Sequence, residues 1–352
     1  MDKRYFSDKV VKWYELNKRD LPWRDTRDPY RIWLSEIILQ QTRVNQGLPY
    51  YLRFVEKYPS VGALASASQQ EVLRLWQGLG YYSRARNLHE CARQVVAEHN
   101  SSFPDNYQAL KKLKGIGDYT AAAIASIAYK EGVAVVDGNV FRVLSRVFGI
   151  HEPIDTAIGK KKFIALANEV INTNKPDQHN QAVMEFGAMH CTPKNPSCGD
   201  CVLESGCFAA QHKLQFSLPV KSRATAVRNR YFYYFVIQQG ARYLMKKRTE
   251  KDIWQGLFDF LMIEEPKPIK IEKLVHRFNS IYSLNVLSKD VVLSDTYKHI
   301  LSHQIINATF IFMEIASNNL VKEPYAFYSA KKIEDLPKPV LITRFFSDHQ
   351  LL

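Results

Sequence analysis

No apolar run in the 352-residue sequence approaches the roughly 18 residues of a membrane span. The opening residues, Met1-Asp2-Lys3-Arg4-Tyr5, carry no apolar h-region, so no signal peptide is expected there. Internal repeats and low-complexity tracts are missing, which argues against a solenoid or an array. Cysteine is scarce, five residues in all, too few for a disulfide-stapled scaffold. Acidic side chains are also in deficit: 35 Asp and Glu face 48 Lys and Arg, for a formal net charge of +13. These absences point to a cytoplasmic chain, in which clustered thiols stay reduced and serve as metal ligands.

What is present fits a globular protein of two or three domains, with 46% hydrophobic and 24% charged residues. The cationic surplus favours a polyanionic partner, because Lys and Arg that neutralise phosphates release condensed counterions. Many basic proteins never touch nucleic acid, so the motifs must decide.

Residues 7 to about 210 show apolar spacing of helical type, as in Trp33-Leu34 with Ile37-Ile38, Val72-Leu73 with Trp76, and Ala121 to Tyr129. Ser7, Ser68 and Asp105 stand where N-caps are expected. From Lys221 the texture changes. Tyr231–Gln239 is aromatic and β-branched, Gly240 breaks it and Arg242–Arg248 resumes it, which predicts a hairpin. Further strands are predicted at Leu257–Ile263, Val291–Leu293 and Asn307–Ile315, with one helix at Glu272–Tyr282. The domains expected are thus a helical region over 1–212, a basic linker over 213–230 and a smaller α+β module over 231–352. Nine Lys or Arg against two acids from Pro219 to Asp252 make the linker a candidate for tracking a phosphate backbone.

Four cysteines form a C-x6-C-x2-C-x5-C run at Cys191, Cys198, Cys201 and Cys207. Zinc sites usually show two C-x2-C knuckles and this run has one, so the spacing favours an iron–sulfur cube over zinc. Cys91 stands alone and reads as a small core residue. Gly115 and Gly117, in Leu110-Lys111-Lys112-Leu113-Lys114-Gly115-Ile116-Gly117, join two predicted helices. A dinucleotide fingerprint needs a preceding strand and a third glycine. The alternatives are a plain tight turn, or backbone N–H groups that approach a DNA phosphate at the next helix's N-terminus, with the lysines adding charge.

Two carboxylates are candidates for chemistry. Asp137, in Asp137-Gly138-Asn139, follows the apolar Val133–Val136 and precedes a helix. It can cap that helix, stabilise developing cationic charge, or do both. Glu36 lies among apolar neighbours in Trp33–Leu39, so it either faces solvent or is a desolvated acid with a raised pKa. Gln40 and Gln41, one turn on, offer amides for reading a base edge.

Leu21-Pro22-Trp23-Arg24, Ser35-Glu36 with Gln40-Gln41-Thr42, Gly78-Leu79-Gly80-Tyr81-Tyr82, the glycine hairpin, Asp137-Gly138-Asn139 and the four cysteines occur in that order. Together they closely resemble the endonuclease III superfamily and, within it, the MutY-type adenine DNA glycosylases, over about residues 5–212. The resemblance implies a mostly α helix-hairpin-helix glycosylase fold with a six-helix barrel and a 4Fe–4S cluster loop. It implies that Glu36 protonates adenine N7, that Asp137 stabilises the oxocarbenium-like sugar, and that Tyr119 and Asn139 support them. Leu21, Trp23, Arg24, Gln41 and Gln181 would surround a flipped adenine. Tyr81 would wedge into the duplex, with Gln40, Gly115, Gly117 and Lys114 on DNA. The hairpin carbonyls would hold a monovalent cation. Bifunctional relatives carry a Schiff-base lysine where this chain has Tyr119, so hydrolysis without efficient lyase activity is implied.

The C-terminal module resembles a Nudix domain without its glutamate-rich Mg²⁺ box, which implies a lesion reader rather than a second enzyme. Leu301-Ser302-His303 is similar to the family's Phe-Ser-His loop for 8-oxoguanine, with Leu301 replacing the aromatic. Lys114 likewise stands where proline is usual. The partner implied is duplex DNA with adenine opposite 8-oxoguanine or guanine. The chain would act as a monomer and, in a prokaryote, associate with the nucleoid. Two other readings stay open: a glycosylase/lyase for oxidised pyrimidines, and a non-catalytic iron–sulfur DNA-binding protein.

Overall fold

A computed structural model describes residues 1–222, 227–282, 286–314 and 324–351. Part of the expected linker, residues 223–226, and residue 315 at the end of an expected strand lie outside the described residues. The chain forms two compact units, Met1–Ser66 with Asn87–Ala224, and Ala67–Arg86 with Thr225–Leu352. The division is interleaved: residues 67–86, read from sequence as part of the helical region, pack in the second unit.

Helices come first along the chain: α1 (Lys3–Asn17), α2 (Pro29–Leu39), α3 (Val44–Lys57), α4 (Val61–Ser66), α5 (Gln69–Trp76) and α6 (Ser83–Glu98). They continue with α7 (Tyr107–Leu110), α8 (Asp118–Tyr129), α9 (Gly138–Phe148), α10 (Ala157–Val170), α11 (Pro176–Met189) and α12 (Phe208–Gln211). Local signals explain the important starts. Asp28 caps α2 by accepting from the Tyr30 N–H at 2.9 Å, with Pro29 in the first turn, where its missing N–H costs nothing. Ser68 and Glu71 form a reciprocal capping box on α5. Two other expected caps sit elsewhere. Ser7 is inside α1, which Asp2 caps, and its hydroxyl meets His179 Nδ1 at 2.8 Å. Asn106, not Asp105, caps α7, which stops at Leu110.

Apolar all round, α2 is buried on nearly every side, with Ile32, Trp33, Leu34, Ile37 and Ile38 in the core. Helix α8 packs against it with alanines 121–123 and 125, whose short side chains permit close approach. A second cluster, built on Phe6, Val10, Val143, Leu144, Phe163 and Phe186, joins α1, α9, α10 and α11 and extends to Leu203 in the cysteine loop.

Strands of the second unit are β1 (Arg228–Gln239), β2 (Arg242–Lys247), β3 (Phe258–Asp259), β4 (Leu261–Glu265), β5 (Val292–Leu293), β6 (Tyr297–Ile300), β7 (Gln304–Glu314) and β8 (Tyr325–Ser329). They form one mixed sheet in which β1 pairs with β2 and β4 antiparallel and with β7 in parallel. Helices α13 (Ile271–Tyr282), α14 (Ala330–Asp335) and α15 (Val340–Asp348) complete it. The side-chain period of two explains the unbroken apolar run in β1. Phe235 stacks on Phe278 of α13 at 3.8 Å, while Tyr234 stacks on Phe310, which in turn stacks on Phe345 of α15. The predicted strand Leu257–Ile263 is split into β3 and β4, and β6 and β8 had no counterpart in the sequence reading.

Gly149 ends α9 in left-handed backbone at φ 69°, and a Cβ there would lie 2.7 Å from the Phe208 ring. Gly149→Ala should therefore cost about 2–4 kcal/mol, the left-handed penalty plus overpacking. Urea unfolding followed by the helical signal checks this, and an unmoved midpoint would mean that the ring yields freely.

Candidate active site and cysteine centre

A cavity of about 510 Å³ opens in the helical unit, lined by side chains from α2, α8, α9 and α11. Glu36 and Asp137 both line it, together with Tyr119, Asn139, Leu21, Trp23, Arg24 and Gln181. Gln41 does not: it is exposed, in left-handed backbone at φ 55° just past α2. Gln40 ends α2 half-buried, its amide donating to the Thr120 hydroxyl at 3.3 Å.

Glu36 is buried because α2 is buried all round, and the carboxyl has nowhere else to go. Loss of water pushes its pKa up to about 7, and the nearby charge of Asp137 adds to the rise. A hydrogen bond from the Tyr119 hydroxyl, at 2.5 Å, works against it, as does the charge of Arg24. The same environment raises the pKa of Tyr119, burial first and the neighbouring carboxylates next.

Asp137 caps α9. One carboxylate oxygen accepts the Val140 N–H at 2.7 Å and the other accepts the Asn139 amide at 2.8 Å. Burial raises its pKa, and these bonds, which favour the charged form, oppose the rise. Asp137 therefore caps α9, one of the roles named for it, while also lining the cavity. Asn139 in turn accepts from Arg142 at 2.8 Å, and the same guanidinium donates to the carbonyls of Gly187 and Cys191.

Glu185 was missed by sequence reasoning. It is buried on α11 one turn after Gln181, and that i,i+4 spacing with an acid on an apolar face was the signal available. Arg19 and Arg24 grip it with paired hydrogen bonds, the shortest 2.6 and 2.5 Å respectively. Burial pushes its pKa up, but the two guanidinium groups outweigh that and hold it at about 2. Arg24 thus lines the cavity already bound to a carboxylate.

Between α7 and α8, Gly115 takes left-handed backbone at φ 75° and Gly117 caps α8, with open space where a Cβ would point. The backbone N–H of Lys114 donates to Gln94 at 2.9 Å, a bond that proline at this position cannot make. The exposed side chain of Lys114 adds charge beside the turn.

The four cysteines line one small, largely apolar cavity with Phe186, Leu203 and Ala209. Burial pushes the Cys201 thiol up to about 12 and raises Cys198 and Cys207 as well, so thiolates form here only against a compensating cation. Sulfur hydrogen bonds are already in place, from the Leu203 N–H to Cys201 at 3.4 Å and from Arg146 to Cys191 at 3.3 Å. His190 Nε2 and Gln215 Oε1, lining the same cavity, are buried polar atoms without a protein partner. Among the described residues, no three His, Cys, Asp or Glu side chains converge on a single-ion site. Cys91 is fully buried in α6.

In the second unit, Tyr81 and Leu301-Ser302-His303, the latter in the turn between β6 and β7, share a cavity of about 490 Å³ with Trp254 and His299. The Tyr81 and Ser302 hydroxyls are hydrogen-bonded to each other. The basic stretch around the linker behaves differently from its charge count. Arg230 is buried against Asp252 and Glu264, and Arg248 against Asp259, so both are neutralised internally.

A family described as "HhH-GPD superfamily base excision DNA repair protein" matches residues 34–169, and a NUDIX domain matches residues 233–348. An adenine DNA glycosylase of Buchnera aphidicola subsp. Schizaphis graminum (strain Sg) is 31% identical over 95% of this chain and 96% of its own length. The adenine DNA glycosylase of Homo sapiens is 44% identical over 60% of this chain and 41% of its own. Of solved structures, a thermostable thymine-DNA glycosylase has a TM-score of 0.56 at 30% identity, covering 60% of this chain and 97% of that one. An endonuclease III trapped covalently on DNA, at 22% identity and a TM-score of 0.53 over 61% of this chain and 99% of that one, shares the fold.

The raised pKa of Glu36 has a consequence for stability. Because the folded value is about 7 against an ordinary 4.5, the stability tied to the neutral acid is complete below the ordinary value and is lost as pH rises through 7. Glu36→Gln, neutral throughout, should exceed the native chain in stability by about 1–3 kcal/mol at pH 8 and by little at pH 4. Denaturant titrations at the two pH values test the difference, and the same gap at both would remove the perturbed acid.

Proposed function

The chain belongs to the adenine DNA glycosylases of base excision repair, enzymes that hydrolyse N-glycosyl bonds, and we propose that it removes adenine paired with 8-oxoguanine or guanine. The observation that carries the mechanism is the pair of unequal carboxyls lining one cavity, Glu36 with a pKa near 7 and Asp137 held by hydrogen bonds that favour its charge. Glu36, whose raised pKa lets it carry a proton near neutral pH, gives that proton to N7 of an extruded adenine and turns the base into a good leaving group. Asp137 faces the positive charge that develops on the sugar. Water completes hydrolysis, and Glu36, now ionised, is placed to take its proton. Tyr119 orients Glu36 through its hydroxyl, and Asn139 orients Asp137. Leu21, Trp23, Arg24 and Gln181 receive the base; Arg24 is kept in place by Glu185. Tyr119 is a phenol and cannot form a Schiff base, so strand cleavage is not part of the reaction.

The hairpin at Gly115 and Gly117, with Lys114, meets the DNA backbone at the start of α8, and its carbonyls would hold a monovalent cation there. Tyr81, Leu301, Ser302 and His303 read the base opposite adenine, supported by their common cavity. Cys191, Cys198, Cys201 and Cys207 hold a 4Fe–4S cluster. The donor set of four thiols, the sulfur hydrogen bonds and the orphaned His190 and Gln215 atoms suit that group. When bound, the cluster would tie down the loop that follows α11 through these four side chains.

Single-turnover assays on adenine:8-oxoguanine, adenine:guanine and thymine-glycol duplexes test this reading. Adenine release from the first two, without borohydride trapping, is expected. Glu36→Gln and Asp137→Asn should each lower release about 10²-fold or more while still binding duplex. Near-native turnover in either variant defeats the mechanism. Ser302→Ala should narrow the preference for 8-oxoguanine over guanine, and an unchanged ratio would place the reader elsewhere.

A further inference from the structure

We propose that Arg146 is the positioning residue of the cysteine centre, holding the loop of its first ligand and biasing the charge state of the cluster. The inference rests on the reading that the four cysteines bind an iron–sulfur cluster. Arg146 lies in the last turn of α9 and is 2% exposed. Its guanidinium donates to the carbonyls of Thr192 at 2.8 Å, Pro193 at 3.2 Å and Leu218 at 3.1 Å. The nitrogen that reaches Thr192 also approaches the Cys191 carbonyl at 3.4 Å and the Cys191 sulfur at 3.3 Å. At its own backbone, the Arg146 carbonyl lies 3.5 Å from the Cys207 sulfur.

Among the described residues no acidic side chain forms an ion pair with this guanidinium; its partners are backbone carbonyls and the Cys191 sulfur. A buried cation without a carboxylate is costly unless a negative group compensates it. Cysteine thiolates around a cluster supply that negative charge. A planar five-donor fork can bind carbonyls at both ends of the cysteine loop at once, Thr192 and Pro193 near its start and Leu218 past its end, which an ammonium on a flexible stem does less well. A cation and an N–H bond at a ligand sulfur favour the more reduced, more negative cluster, and so raise its reduction potential.

The test uses the full-length, cluster-loaded protein and two variants, Arg146→Met and Arg146→Lys. Iron and sulfide per chain, the rate at which a chelator bleaches the visible absorbance, and the one-electron potential at an electrode are measured. Arg146→Met should bleach roughly tenfold faster or more, as lost outer-shell support does at metal sites, and shift the potential to more negative values. Arg146→Lys should keep more of the potential than of the resistance to bleaching. If Arg146→Met yields no folded protein, Arg146→Lys decides. Native bleaching and native potential in whichever variant decides overturn the proposal. Native chain without iron and sulfide would instead defeat the cluster reading on which it stands.

Discussion

Desolvation of the Glu36 carboxyl is the constraint on which the rest of the helical unit depends. A carboxylate exposed to water would be ionised at neutral pH and useless as a proton donor. Here the burial of α2 supplies the shift, and the negative neighbour Asp137 adds to it. The Tyr119 bond opposes the shift but orients the group, so the acid stays near neutrality with a defined direction. Such an arrangement costs stability, and the dense packing of α2 against α8 carries the cost.

Charge in the same cavity is handled by two opposite devices. Glu36 is raised by burial, which outweighs the Tyr119 hydrogen bond and the charge of Arg24, whereas Glu185, also buried, is lowered by two guanidinium forks. One carboxyl therefore titrates near neutrality and the other never does. That contrast separates a carboxyl suited to carry a proton at neutral pH from one that holds a wall of the cavity in shape.

Helix α9 links the cavity lined by Glu36 and Asp137 to the cysteine loop. Asp137 caps its start, where the helix dipole and free N–H groups steady a carboxylate. One turn in, Arg142 spans from Asn139 to the Cys191 carbonyl, and a further turn on Arg146 reaches the Cys191 sulfur. The loop after α11 is thus fastened to the same helix that presents Asp137. Gly187 permits this closeness, since a Cβ there would come within 2.7 Å of Asn139.

Much was legible in the chain itself. The capping position of Asp137, the apolar neighbours of Glu36, the cysteine run and the change from helix to sheet beyond residue 221 follow from spacing, capping chemistry and the side-chain period, which are local properties, whereas Tyr119 was named by the family resemblance alone. Whether Glu36 faced solvent or core was not local, because an apolar helix can be read either way until its neighbours are placed. Gln41 fell outside the cavity for a similar reason: one left-handed residue past α2 turns its side chain away. Arg230 and Arg248 counted as surface charge in the sequence, yet each lies buried against an acid from a distant position. Order along the chain thus determined the kinds of groups available and the elements that carry them. Tertiary structure alone decided which of them lose water, and through that loss which carboxyl holds a proton, because desolvation depends on every surrounding element at once.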